Sequence, residues 1–515
     1  MERTVRITGS IRLHVERNRN LPCLSWLLDT SGPIDLLVCG TGVTTRDDGF
    51  FEGAWAGDYT EGRFESASEF FGSGGRLTPG GWLIVSPSHT LEAVYILLTE
   101  SRRWMASNSL SFLLSYNKAR FLTSRYELAL GFVDIVNGID HSPREFMTTS
   151  GKLFVLHHHN AFLRPADLDV CPKSIPEEFS DFSSYVAYLS RVVRFTAENA
   201  TAGSRLTHYR LLATISSGYD SPACATIASI AGCDEAVTFL RGYGDVPDDG
   251  VKIGHQLNMH VNSVARTITA GELDTCMPEF FATGMQGEDI VYSKLGGLVR
   301  GRLLITGFHG DKLWNPWIAP NAVFKRGDIS GSSLGEFRLL RDFIHLPLPF
   351  AGAQRHGDLA RIGRSAEMRS YSVGGPYDRP IPRRIAEQAG VPRAAFGQLK
   401  KAISFPIFSE KELIPPDTRR AIETFCGPTL AGQAIYHVRS TWFRFGIKSY
   451  NANIRGLRFL PPAARPLYQV LWKAILRLVF GAWETFEHTD PFMALTFLWA
   501  IDKMVVRYFV RRSGR

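Results

Sequence analysis

Apolar positions recur along this chain in two rhythms. Through about residue 172 they come as short runs, "IDLLVCG", "GGWLIVS", "AVYILLT" and "GKLFVLHHH", separated by clusters of Gly, Pro and Ser. Short runs rich in branched and aromatic residues and bounded by turn formers predict strands, so a largely antiparallel first region is expected. The stretch "ADLDVCPKSIPEEFSDFSS" is polar, holds two prolines and reads as a linker. From about 180 to 425, helical patterns alternate with the apolar runs "RLLATI", "AVTFL" and "RLLIT", the alternation expected of a parallel sheet flanked by helices. From about 430 onward, aromatic and aliphatic residues recur at helical spacing. The most apolar segment, "PLYQVLWKAILRLVFGAWETF", is interrupted by Lys473 and Arg477. Four residues apart, the two cations share a helical face, which predicts an amphipathic helix rather than a membrane span.

A chain of 515 residues exceeds what one core usually fills. Three units are expected, 1–172, 173–430 and 431–515, with no internal repeat among them. The net charge of +8, from 58 Lys+Arg against 50 Asp+Glu, is spread along the chain except for a basic end at Arg507, Arg511, Arg512 and Arg515. A solvated tail is the plain reading of that end, and a nucleic-acid partner is not expected. Peripheral membrane contact through the C-terminal helices and a homodimer stay open. Seven scattered cysteines, none spaced as CxxC, argue for a reducing compartment and against a disulfide framework or structural zinc. The start, "MERTVRITGSIRLHVERN", lacks an apolar core of signal-peptide length, so a cytoplasmic location is expected.

The chemistry begins where "YRLLATI" runs into Ser216-Ser217-Gly218-Tyr219-Asp220-Ser221 and Pro222. Pro222 fits the first turn of a helix, and Ala223, Cys224, Ala225 and Ala228 let that helix lie close to a sheet. The loop therefore joins the carboxyl end of a strand to a helix N-terminus, where backbone N–H groups and the helix dipole favour an anion. It lacks the lysine of a GxxxxGK[ST] loop, so transfer of a γ-phosphate is not the inference.

"GRLLITGFHGDKLW" repeats the grammar, an apolar strand followed by Thr306-Gly307-Phe308-His309-Gly310-Asp311. Ligands of parallel sheets collect at the carboxyl ends of strands, so the two loops are expected to face one crevice. Asp220 and Asp311 would then flank one phosphate chain, an arrangement that calls for Mg²⁺ between them. "FGQLKKAISFP" places Lys400 and Lys401 after a glycine turn, where either could neutralise developing charge. His157-His158-His159 fall in a strand whose side chains alternate faces, which does not suit a metal site.

The run from Ser216 to Ser221 resembles the SGGxDS pyrophosphate loop of asparagine synthetases and their lactam-forming relatives, which include lasso-peptide macrolactam synthetases. "TGFHGD" resembles that family's second loop, "EMRSYSVGGPYDRPI" its EVRxPFLD segment, and "LKKAISFP" its PKKGFGxP loop, in order over about residues 205 to 410. More faintly, "FEGAWAGDYT", "GGWLIVSPSHTLEAVYILL" and "RRWMASNSLSFLL" echo the glutaminase domain of asparagine synthetases.

The resemblance implies an α/β fold: a degenerate glutaminase-like α+β sandwich, a Rossmann-like parallel-sheet synthetase domain and a helical C-terminal end. It implies an ATP-dependent, AMP-forming ligase that adenylates a small-molecule or peptide carboxylate and passes the acyl group to an amine. ATP would sit on Ser216, Ser217, Gly218, Asp220, Ser221, Gly307, Gly310 and Asp311, with Mg²⁺ on Asp220 and Asp311 and Lys400 as the catalytic lysine, Lys401 its alternate. The family's glutaminase nucleophile is an N-terminal cysteine. Here Glu2 follows Met1, so glutamine hydrolysis is not expected. Ser217 replaces the first glycine of SGGxDS, and Phe308 stands where the relatives carry Glu or Tyr. Phenylalanine holds no proton, which leaves the neighbouring His309 as the candidate base. A catalytically reduced relative that binds nucleotide or a partner protein is the alternative, and a pyrophosphate-loop enzyme acting on tRNA is a third reading, supported only by the basic end.

Overall fold

A computed structural model describes residues 3–6, 12–123, 125–164, 167–242, 245–317, 325–375, 377–398, 414–425 and 491–508. Among these residues the structure is mixed α/β, with three sheets. The first has eight strands in the order Arg3–Arg6, Arg12–Arg17, Asp35–Cys39, Trp26–Asp29, Trp104–Ser107, Val94–Thr99, Gly151–Leu156 and Arg144–Thr148. The second has six, Leu168–Cys171, Asn160–Leu163, Gly81–Val85, Phe70–Thr78, Gly49–Trp55 and Thr44–Arg46. Neighbours in both are antiparallel except Arg12–Arg17 beside Asp35–Cys39.

These two sheets face each other. Trp26, Leu28, Leu37 and Ile96 of the first meet Phe50, Leu77, Trp82 and Ile84 of the second in one buried cluster. Trp26 donates its indole N–H across the gap to Ser73 Oγ at 3.0 Å. Alternate residues on the same strands, Leu27, Leu36, Val38, Tyr95 and Leu97, turn to the opposite face and join Leu113, Phe132 and Phe281. The apolar runs are continuous rather than alternating because both faces of the strands are covered.

The third sheet is parallel throughout, in the order His260–Val264, Glu235–Phe239, Arg210–Thr214, Arg302–Thr306 and Ile344–Pro347. By chain order this is 3-2-1-4-5, a doubly wound arrangement whose direction of travel reverses between the first and fourth strands. Ala213, Ile305 and Ile344 pack on one side with the helices Phe182–Ala200 and Asp220–Ile230, and Leu212, Val237 and Leu304 on the other with Ala270–Phe281. Ala223, Cys224, Ala225 and Ala228 have no exposure, which lets the helix Asp220–Ile230 lie directly on the sheet.

The supposed linker is more structured than its polarity suggests. Leu168–Cys171 is an edge strand paired to Asn160–Leu163. Lys173 is buried and donates to Asn160 Oδ1 at 2.8 Å. Asp181 caps the helix Phe182–Ala200 through a reciprocal capping box with Ser184. The apolar clusters run on across residue 172, joining Leu27 to Leu212 and Phe71 to Tyr185. Near the C-terminus, the helix Pro491–Val505 packs Phe497 on Phe132 with ring centroids 4.9 Å apart. The apolar segment 466–486 lies outside the described residues. Among the described residues, no helix is long and apolar enough to cross a membrane.

Candidate functional site

The strands Arg210–Thr214 and Arg302–Thr306 are neighbours, with Ala213 opposite Ile305. At their carboxyl ends, where the strand order reverses, lies a cavity of about 170 Å³. Its walls include Ser216, Gly218, Asp220 and Ser221 from the first loop and Gly307, His309 and Asp311 from the second. Seven of the residues expected from sequence thus meet in one crevice, whereas Ser217 and Gly310 of the same two loops are not among its walls.

The first loop is wound on Ser216, whose Oγ lies 2.9 Å from Ser221 Oγ and accepts from Gly218 N–H at 3.2 Å. The helix begins at Asp220, and no side chain caps its N-terminus. Tyr219 turns inward instead. Its hydroxyl accepts from Arg383, whose guanidinium also lies 4.9 Å from the ring centroid, and its ring meets Tyr377 at 4.8 Å. Ser217 donates Oγ–H to Asp248 Oδ1 at 2.8 Å, and its carbonyl accepts from Gly397 N–H at 2.9 Å. Gly397 therefore lies against the first loop. Lys400 and Lys401, three and four positions on, lie outside the described residues.

The glycines of the second loop are explained by its contact with the first. A Cβ on Gly307 would stand 2.8 Å from the Asp220 carbonyl carbon, and one on Gly310 2.7 Å from Asp220 Cγ. Gly218 differs, because its nearest neighbour would be Ser216 Oγ at 3.4 Å, an ordinary contact. Protein packing therefore requires glycine at 307 and 310 but not at 218.

His309 adopts a left-handed backbone with φ of 62°. Its ring is buried and donates from Nε2 to the Ser330 carbonyl at 2.8 Å, which leaves Nδ1 without the proton and 3.7 Å from Asp328 Oδ1. Burial lowers its pKa, with Asp328 pulling the other way, so the ring is neutral near pH 7. Burial alone would raise Asp328, but His309, Lys312 and Ser330 together outweigh it and hold that carboxylate below its usual range. His309 thus ties the second loop to residues 328–330, and Nδ1 is the atom a base would use. Phe308 packs on Tyr292 and His345, with centroids 5.8 Å from each.

The structure also brings to the crevice residues that the sequence reading did not single out: Asp248, Glu288, Asp289, Tyr292 and Tyr377. Asp248 had a signal, since "GYGDVPDDG" follows the run "AVTFL" as the first loop follows "RLLATI". Burial and Asp220 push the Tyr377 hydroxyl up, and burial raises Glu288 well above the usual carboxylate range. Among the described residues, no group of three or more His, Cys, Asp and Glu side chains is arranged to hold a metal ion. The thiols of Cys39 and Cys233 are pushed up to about 11 by burial, which suits packing rather than nucleophilic work. No protein-family model matches the chain, and no curated protein matches it.

Proposed function

We propose that this chain is an ATP-dependent, AMP-forming carbon–nitrogen ligase of the asparagine-synthetase type. In this reading the paired antiparallel sheets correspond to a glutaminase-like unit, and the parallel sheet to the synthetase unit. The carrying observation is the meeting of the Ser216–Ser221 and Gly307–Asp311 loops at the switch point of a 3-2-1-4-5 parallel sheet. The room at Gly218 supports it, because a Cβ there would make only ordinary contacts, with Ser216 Oγ at 3.4 Å and Tyr377 OH at 3.8 Å, and a phosphate can approach a backbone so lightly covered.

ATP would lie with its phosphates on the first loop. A substrate carboxylate oxygen attacks the α-phosphorus and pyrophosphate leaves. The amine nitrogen then bonds to the acyl carbon and gives up a proton to His309 Nδ1, the C–O bond to AMP breaks, and the amide and AMP are released. Asp220 and Asp311 suit Mg²⁺, which typically takes one or two carboxylates and completes its shell with phosphate oxygens and water, so a site of three protein ligands is not needed. The ion would neutralise phosphate charge between the two loops. Lys400 is the donor proposed for charge developing on the acyl group, on resemblance alone, with Lys401 its alternate. Phe308, packed among aromatic rings, favours the second reading, a relative that binds nucleotide without chemistry.

Exchange of labelled pyrophosphate into ATP, run with a panel of amino acids, peptides and small carboxylates, tests the proposal. Exchange dependent on one carboxylate class supports it. ATP binding with no exchange for any of them moves the reading to the binding-only relative.

A further inference from the structure

Among the described residues, five carboxylates line the crevice, and four of them have evident work. Asp220 and Asp311 belong to the two loops, and Asp248 accepts from Ser217. Asp289 accepts from Gly331 N–H at 2.9 Å, Ser333 N–H at 3.1 Å and Ser333 Oγ at 2.6 Å, so it holds the 331–333 turn. Glu288 is different. It is 8% exposed, and among the described residues its Oε1 is buried with no hydrogen-bond partner. Buried acceptors are nearly always satisfied, because one left without a donor costs the full desolvation of the group.

Two features say what kind of donor is missing. Asp289 and Asp328 add negative charge around Glu288, opposed by Arg326, and that balance raises its proton affinity beyond what burial does. Such a field selects a cation over a neutral donor. Beside it stands an aromatic wall, Phe239 to Tyr292 at 5.9 Å and Tyr292 to Phe308 at 5.8 Å between centroids, all three rings facing the same crevice. Aromatic faces attract ammonium groups and cover an apolar body.

We propose that Glu288 Oε1 receives the ammonium group of the amine substrate, a primary amine on an apolar or aromatic body that lies against Phe239, Tyr292 and Phe308. The nitrogen becomes the acyl acceptor once the ammonium has given a proton to the Glu288 carboxylate, and that role rests on the ligase reading. This placement divides the crevice into a phosphate end at the two glycine loops and an ammonium end at Glu288, and it gives Phe308 a role that needs no proton.

The test uses the full chain, with benzylammonium chloride as probe and benzyl alcohol as its neutral counterpart, followed by calorimetry. Wild type should bind benzylammonium and not benzyl alcohol. Glu288→Gln should weaken benzylammonium tenfold or more while ATP affinity is unchanged, and Glu288→Asp, which keeps the charge, should bind more tightly than Glu288→Gln. Equal affinity of wild type and Glu288→Gln for the probe, or equal binding of the alcohol, overturns the proposal. A loss in Glu288→Gln that falls on ATP instead overturns it in favour of a nucleobase contact. If no variant binds ATP but the ammonium discrimination persists, the ligase reading fails and the cation subsite stands.

Discussion

Arg338 closes a two-point ion pair with Glu52, Nη1 to Oε2 at 2.7 Å and Nη2 to Oε1 at 2.9 Å, and its Nε reaches Glu92 Oε2 at 2.8 Å. Arg338 lies in the helix Gly335–Arg341 and Glu52 in the strand Gly49–Trp55, so the pair fastens the six-stranded sheet to the connection between the last two strands of the parallel sheet, Arg302–Thr306 and Ile344–Pro347. Both side chains are withdrawn from solvent. Removing one partner of a buried pair leaves an uncompensated charge, typically at a cost of about 3–5 kcal/mol, whereas apolar or neutral replacement of all partners is far milder. Arg338→Ala is expected to lose about that much stability, and Arg338→Met combined with Glu52→Gln and Glu92→Gln much less. Urea midpoints compare the two. An Arg338→Ala midpoint equal to wild type would show that the pair contributes nothing net.

His345 supplies a pH prediction. Its Nε2 lies 2.9 Å from Thr306 Oγ1, and burial, reinforced by Arg338, lowers its pKa to about 3. In the unfolded chain it titrates near 6.5. Between those values the unfolded state binds one more proton than the folded state, so this group's contribution is full above pH 6.5 and is lost as pH falls toward 3. Each pH unit is worth about 1.4 kcal/mol. Wild type should be more stable than His345→Gln at pH 7, and the gap should narrow by about 2 kcal/mol at pH 5. A gap of the same size at both pH values would mean that His345 is not held neutral by its surroundings.

The two loop carboxylates carry the metal-dependent part of the proposal. Asp220→Asn and Asp311→Asn keep the shape of each side chain and remove its charge, so both should fold and both should lose pyrophosphate exchange by about 10²-fold or more, as expected when a transition-state contact in a desolvated site is deleted. Exchange rates matching wild type in both variants would remove the magnesium assignment.

Legibility from sequence followed periodicity. The strands Arg210–Thr214 and Arg302–Thr306 read clearly because each is an apolar run broken by Gly and Ser, and the rule that parallel strands present ligands at their carboxyl ends placed the two loops together. Glu288 and Asp289 did not read, since they follow a helix rather than a strand and only tertiary packing turns them to the crevice. Lys173 misled for a related reason. A charged residue in a polar stretch reads as solvated, and its burial depends on Asn160 and Glu69, neither of which is a local neighbour. The glycines of the second loop were visible as a motif, but their cause, contact with the Asp220 backbone and side chain, is a relation between two segments and not a property of either.

Gly218 and Gly307 separate the ligand's demands from the protein's. Neither has a left-handed φ, so alanine is conformationally allowed at both. At Gly307 the new Cβ would meet Asp220 C and Ser221 N at 2.8 Å, backbone atoms that cannot step aside, and the two loops must part. Overpacking of this kind costs about 1–3 kcal/mol, so Gly307→Ala should melt several degrees lower and bind ATP poorly. At Gly218 the Cβ would make only ordinary van der Waals contacts, with Ser216 Oγ at 3.4 Å and Tyr377 OH at 3.8 Å. Gly218→Ala should therefore melt at or slightly above the wild-type temperature, because alanine reduces the freedom of the unfolded chain. It should nonetheless bind ATP at least tenfold more weakly, since the methyl group occupies the approach to the loop N–H groups. Calorimetric melting and ATP titration of the two variants give four numbers. Wild-type ATP affinity in Gly218→Ala would remove the phosphate from the first loop, and a wild-type melting temperature in Gly307→Ala would mean that the loops do not touch as described.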